Sequence, residues 1–133
     1  MRELYEVRRD LELLALRRPA EGGPAHDAEA LEALRYDWRG LDEPDTGGEP
    51  DPAFVLLDEE FHLRLAMAAG NHQLATMLQS VNERIRLVRI HDFMAAERVS
   101  VTISQHLGIV EALLEQRAEV AADRLERHLA ESL

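Results

Sequence analysis

One carboxylate and three imidazoles in this 133-residue chain have the types and spacing of a metal site. Asp58 and His62 stand four positions apart. Successive helical residues turn by about 100°, so the two stack on one face of a helix. Phe54, Val55, Leu65, Ala66 and Ala69 share that face, which makes it the buried one. Further on, His106 sits in the middle of the arc formed by Ile103, Ile109, Val110 and Leu113. His128 shares its arc with Ala121, Leu125 and Ser132. Burying such groups without partners is costly, and one divalent cation satisfies all four together through neutral imidazole nitrogens and an ionised carboxylate. Nitrogen-rich, thiolate-free ligation suits zinc first, with nickel, manganese or iron as alternatives. For each histidine taken singly, the competing reading is a core side chain hydrogen-bonded to a backbone carbonyl or a glutamate. His26, His72 and His91 fall near helix ends or breaker residues and read as surface histidines.

The elements that must position these groups are helices. Ala, Leu, Glu and Arg dominate, aromatics are 5%, and long β-branched alternations are absent. Arg2–Arg18 carries Leu4, Val7, Leu11 and Leu14 at helical spacing and stops at Pro19 and Gly22-Gly23-Pro24. A second helix is predicted from Asp27 to Arg39, with Leu31, Leu34 and Trp38. The acidic, breaker-rich stretch between Gly40 and Pro52 reads as a disordered connection. The third helix runs from Pro52 to Ala69 and stops at Gly70. Asn71 then caps a fourth, rich in Leu74, Met77, Leu78, Val81, Ile85 and Val88, that reaches Ile90. The segment His91–Val99 is ambiguous. A fifth helix covers Ser100–Gln116 and a sixth Ala118–Ser132, although Glu115-Gln116-Arg117 offers neither Gly nor Pro to mark the boundary. The expected fold is all-α, one antiparallel bundle of six to seven helices over residues 1–133.

Several motifs in this order resemble one known family. They are Leu4-Tyr5-Glu6-Val7-Arg8-Arg9-Asp10-Leu11-Glu12, Asp58-Glu59-Glu60-Phe61-His62, Ala68-Ala69-Gly70-Asn71, His106 through Leu113, and His128. Together they resemble the C-terminal effector domain (FCD) of FadR-type GntR transcription regulators, across essentially the whole chain. That resemblance implies a helical bundle enclosing a metal and a small organic acid. In the metal-binding branch the ligands map onto Asp58, His62, His106 and His128. It also implies a homodimer, and DNA binding through a winged helix–turn–helix domain that is absent from this chain.

An incoming carboxylate needs donors or cations in the same cavity. Arg8 flanks the arc of Val7, Leu11 and Ala15, and the resemblance places a pocket-facing arginine there. Asn82 and Arg89 lie a heptad apart beside the Leu78–Val81–Ile85 stripe and are further ligand-binding candidates, whereas Arg86 lies further toward solvent. The bland alternative is that these arginine stems snorkel along the bundle.

Composition removes other classes. Fifteen Lys and Arg against 26 Asp and Glu give a formal net charge of −11, so the chain itself is a poor nucleic-acid binder. With no cysteine, disulfides, thiolate metal sites and thiol nucleophiles are excluded. No apolar run approaches the roughly 18–20 residues of a membrane span, and a cytoplasmic location is expected. The competing enzyme reading is a small helical metalloenzyme resembling the DinB-like proteins, with a zinc-activated water and Glu59 or Glu60 as base. Both glutamates turn away from the Asp58/His62 face, however. A pure oligomerisation module, using the amphipathic first and fourth helices, would coexist with sensing.

Overall fold

The structure, a computed structural model, describes residues 2–19, 22–41, 53–92 and 96–131, with side chains for these except 87–92 and 96–97. Six helices are present among the described residues: α1 (Arg2–Arg17), α2 (Ala28–Arg39), α3 (Ala53–Ala68), α4 (His72–Asp92), α5 (Ala96–Leu114) and α6 (Ala118–Glu131). The all-α bundle expected from the sequence is what forms. Residues 42–52 of the acidic connection, the side chains of Arg89 and His91, and Ser132 lie outside the described residues.

Local chemistry sets most boundaries. Asp27 caps α2 by accepting from the backbone N–H groups of Glu29 (3.0 Å) and Ala30 (3.3 Å). Its own N–H donates to the carbonyl of Ala68 at 2.9 Å, tying the start of α2 to the end of α3. Gly70, at φ +82°, supplies the left-handed residue that ends α3, and Asn71 Oδ1 accepts from Leu74 N–H at 3.0 Å to open α4. The unmarked boundary after α5 is made by Gln116 at φ +60°. Arg117 N–H reaches the carbonyl of Ala112 at 2.9 Å and Gln116 N–H that of Leu113 at 3.0 Å, a Schellman closure built without glycine. Helix α5 begins at Ala96, four residues before the predicted start.

Packing brings α1, α3, α5 and α6 around one centre, with α2 laid on α3 and α5, and α4 on α1 and α3. Cross-links from Gln105 to Glu131 and from Arg124 to Gly108 show that α5 and α6 run antiparallel. The main apolar core includes Leu16, Leu34, Trp38, Phe61, Ile109, Val110 and Leu125, all nearly without solvent exposure. A smaller cluster of Ala15, Ala66, Ala69, Leu74 and Leu78 seals α1 against the α3–α4 turn.

The face that α1 buries corrects the hydropathy reading. Val7 and Leu14 are 46% and 47% exposed, and the buried positions are Arg8, Glu12, Leu13, Ala15 and Leu16. A hydropathy arc places the charged side chains outside, whereas Arg8 and Glu12 are 2% and 3% exposed and pair with each other inside. On α4, Met77 is likewise 58% exposed rather than part of the buried stripe.

Candidate metal centre

Three helices deliver the four candidate ligands. Helix α3 contributes Asp58 and His62 from adjacent turns, α5 contributes His106, and α6 contributes His128, all at most 1% exposed. One ligand atom from each lies within 4.8 Å of all the others. His106 Nε2 stands 2.9 Å and His62 Nε2 3.4 Å from the same Asp58 Oδ1. With metal–ligand bonds of about 2.0–2.2 Å, adjacent ligands of one ion stand roughly 2.9–3.5 Å apart, so these separations suit a shared cation. His62 Nε2 and both ring nitrogens of His106 are buried without a hydrogen bond of good geometry, which leaves the set chemically incomplete as it stands. The donor set therefore fits a divalent transition metal.

Neighbouring side chains fix which nitrogens face the centre. His128 Nδ1 lies 2.6 Å from Gln105 Oε1, which selects the tautomer that leaves Nε2 to the centre. Gln105 is itself held by Glu131, its Nε2 donating to Oε2 at 2.6 Å. His62 Nδ1 is paired with Glu12 Oε1, and Glu12 Oε2 meets Arg8 Nε at 2.9 Å. The imidazole of His106 lies flat on Phe61, with ring centroids 3.7 Å apart and planes 2° apart, while Trp38 abuts its edge at 4.3 Å. Phe61, next to one candidate ligand in sequence, thereby orients a second candidate on another helix.

The electrostatics follow from burial and charge count. Burial pushes His106 down to about 4 against the pull of Asp58, and pushes His128 down to about 2, reinforced by His106 and His62. Both are neutral at pH 7, as ligands must be. Burial also opposes charge on His62, but the carboxylates of Glu12 and Asp58 outweigh it and raise its pKa. Glu12 is lowered, because His62 and Arg8 outweigh its own desolvation. With neutral histidines, the centre holds two buried carboxylates, Glu12 and Asp58, against one buried guanidinium, Arg8. A net buried negative charge calls for a cation, which without metal is a proton on His62.

The ligand-binding candidates separate. Arg8 reaches the centre, its Nη2 3.7 Å from Asp58 Oδ2, and also lines a cavity between α1 and α6. Asn82 is buried on α4 beside a shallow cleft with Leu56, Glu59 and Arg86, and its Oδ1 has no hydrogen-bond partner. Arg89 falls among the α4 side chains outside the described residues. Glu59 is buried and grips the half-exposed Arg86 through three bonds of 2.8, 3.0 and 3.2 Å, so it is engaged structurally rather than free as a base. His26 is half-buried rather than a surface residue, its pKa lowered chiefly by that burial. His72 is exposed as expected.

Glu12, Gln105 and Phe61 were not singled out as site residues by spacing. The signals were present: Glu12 follows Arg8 by one helical turn and precedes Leu16 by another, and Gln105 and Phe61 each adjoin a ligand in sequence.

Comparison with known proteins decides the family. The profile described as the FCD domain matches residues 3–131. The chain belongs to the FCD domain family. This FCD domain is 30% identical over 128 residues to the Nta operon transcriptional regulator of Aminobacter aminovorans, covering 96% of this chain and 57% of that protein. It is 25% identical over 126 residues to the uncharacterized HTH-type transcriptional regulator YdhC of Bacillus subtilis (strain 168), covering 95% of this chain and 55% of that one. The chain thus spans just over half the length of these curated relatives. A solved structure titled "Lar controls the expression of the Listeria monocytogenes agr system and mediates virulence" superposes with a TM-score of 0.71 at 20% identity, over 98% of this chain and 60% of the other, and shares the fold. The FCD domain is a regulatory rather than an enzymatic module, and the metalloenzyme reading is dropped. No helix among the described residues is long and apolar enough to cross a membrane.

Proposed function

We propose that this FCD domain is the sensory part of a GntR/FadR-type transcription regulator. In this reading Asp58, His62, His106 and His128 hold one divalent transition metal, zinc first, and a small organic acid brings its carboxylate to that centre. The observation that carries it is the closed set of four inward ligands, two of them oriented from behind by Gln105 and Glu12. A bound metal supplies Lewis acidity toward a carboxylate oxygen. Arg8 supplies the complementary cation, being already within 3.7 Å of Asp58. Residues 1–133 act as one helical domain, and contact with DNA is assigned to residues outside this acidic chain. Arg89 stays a ligand-binding candidate from sequence, whereas Asn82 is assigned to the α3–α4 cleft.

The regulator acts as a homodimer in this account. Val7 and Leu14 on α1 and Met77 on α4 leave apolar side chains at the surface of two helices that pack together, the kind of face a second copy covers.

Calorimetric titration tests the reading. Stripped protein takes up about one equivalent of zinc, and organic acids bind the loaded protein but not the stripped one. In Arg8→Ala, acid binding weakens at least roughly tenfold while zinc uptake persists. Zinc uptake far from one equivalent, or acids indifferent to zinc, contradicts the proposal.

A further inference from the structure

A run of hydrogen bonds leads from the centre to the surface through His128. Its Nδ1 lies 2.6 Å from Gln105 Oε1, and Gln105 Nε2 donates to Glu131 Oε2 at 2.6 Å. The run starts at a ring that is 1% exposed and passes through a half-buried amide. It ends on the last residue of α6, whose carboxylate side chain is 46% exposed. Arg98 Nη1 stands 3.9 Å from that same Glu131 oxygen and draws the carboxylate toward α5.

These bonds have a direction, and only the outer end sets it. An amide turned end for end offers either its oxygen or its N–H groups to the imidazole, with almost no change of shape. A neutral imidazole carries its proton on either nitrogen. A carboxylate has no such choice, because it only accepts. Glu131 therefore takes the amide nitrogen and turns Oε1 of Gln105 inward, which requires the proton of His128 on Nδ1. Nε2, across the ring, then keeps the lone pair that a metal needs.

We infer that Glu131 is a positioning residue for the metal centre: acting through Gln105, its carboxylate holds His128 in the tautomer whose Nε2 can ligate. This rests on the metal reading above and adds a surface residue, outside the four ligands, that controls one of them. The competing role is a plain tie between α5 and α6, for which the direction of the bonds has no consequence.

Two variants of the whole chain separate these roles. Glu131→Lys puts a donor-only ammonium beside Arg98, so the Gln105 amide turns and its nitrogen faces His128. A lysine in the last turn suits the helix dipole, so α6 itself is not weakened. In metal-free protein at pH 7 the His128 proton then moves from Nδ1 to Nε2, read from the ring nitrogen shifts by long-range proton–nitrogen NMR. Zinc affinity falls by about 10–100-fold. In the double variant Gln105→Glu/Glu131→Gln, the amide and the carboxylate trade places. The inner group now only accepts from Nδ1 and the outer one donates to it, so the proton returns to Nδ1 and zinc affinity recovers. Glu131→Lys with its His128 proton on Nδ1 and wild-type zinc affinity overturns the inference, as does a double variant that stays as weak as Glu131→Lys. Wild-type protein that takes up no zinc overturns the metal reading instead, and the nitrogen shifts of the metal-free variants still decide the role of Glu131.

Discussion

Replacing Glu12 by glutamine isolates what a residue that never touches the metal does for it. Glutamine keeps the shape of the side chain and can still accept from His62 Nδ1, so the packing of α1 on α3 is preserved. What disappears is one of the two buried carboxylates facing Arg8, which takes the centre from one net negative charge to none. Loss of a carboxylate behind a ligating imidazole weakens metal affinity by about 10–100-fold. The simultaneous loss of net charge places the expected effect near the upper end, about 2.7 kcal/mol. At a fixed excess of zinc the same amount is lost from metal-linked stability, which for a domain of this size corresponds to roughly 10 °C in Tm. Zinc affinity is read by competition with a chelating dye, and Tm by circular dichroism with and without zinc. Glu12→Asp, which retains the charge, recovers part of the affinity. A Glu12→Gln protein with wild-type zinc affinity refutes the reasoning, since Glu12 would then serve only as a partner for Arg8.

Other perturbations separate the parts of the account. His106→Ala abolishes zinc retention and removes the shift in Tm that zinc produces, checked by the same titration and melts; retained zinc would exclude His106 as a ligand. In metal-free protein, His106 and His128 are held neutral in the fold, so the unfolded chain binds more protons below its pKa of about 6.5. Stability therefore falls as pH drops from about 6.5 through the folded value of about 4 for His106, read from urea midpoints, and a flat profile would contradict their burial as neutral rings. Gln116→Gly relieves a left-handed non-glycine residue and raises stability by about 0.5–1 kcal/mol in urea unfolding, and an unchanged or lower urea midpoint would contradict it.

Much of the centre was legible in the sequence because α3 obeys a simple rule. Asp58 and His62 lie one turn apart on one face, and the residues around them on that face are apolar. His106 and His128 are polar positions inside otherwise apolar arcs, a local conflict of the kind expected at functional or strained sites. Helix α1 resisted the same treatment. Its apolar arc of Leu4, Val7, Leu11 and Leu14 is partly exposed, and its buried stripe carries a salt bridge, which inverts the hydropathy rule. The burial of Glu59 was not legible for a related reason: its partner Arg86 lies on another helix, and cross-helix pairing is invisible to periodicity. The Gln116 turn was hidden because its closure is made by backbone hydrogen bonds rather than by a glycine.

The central claim is that these four side chains hold a metal, and elemental analysis of protein purified without a His-tag or chelating resin tests it most directly. The account predicts close to one equivalent of a transition metal per chain, lost in the double variant His62→Ala/His106→Ala while the Glu59–Arg86 pair and the helical content remain. Folded wild-type protein that is metal-free and takes up neither zinc, nickel nor manganese would contradict it, and Asp58 with its three histidines would then be a hydrogen-bonded polar core.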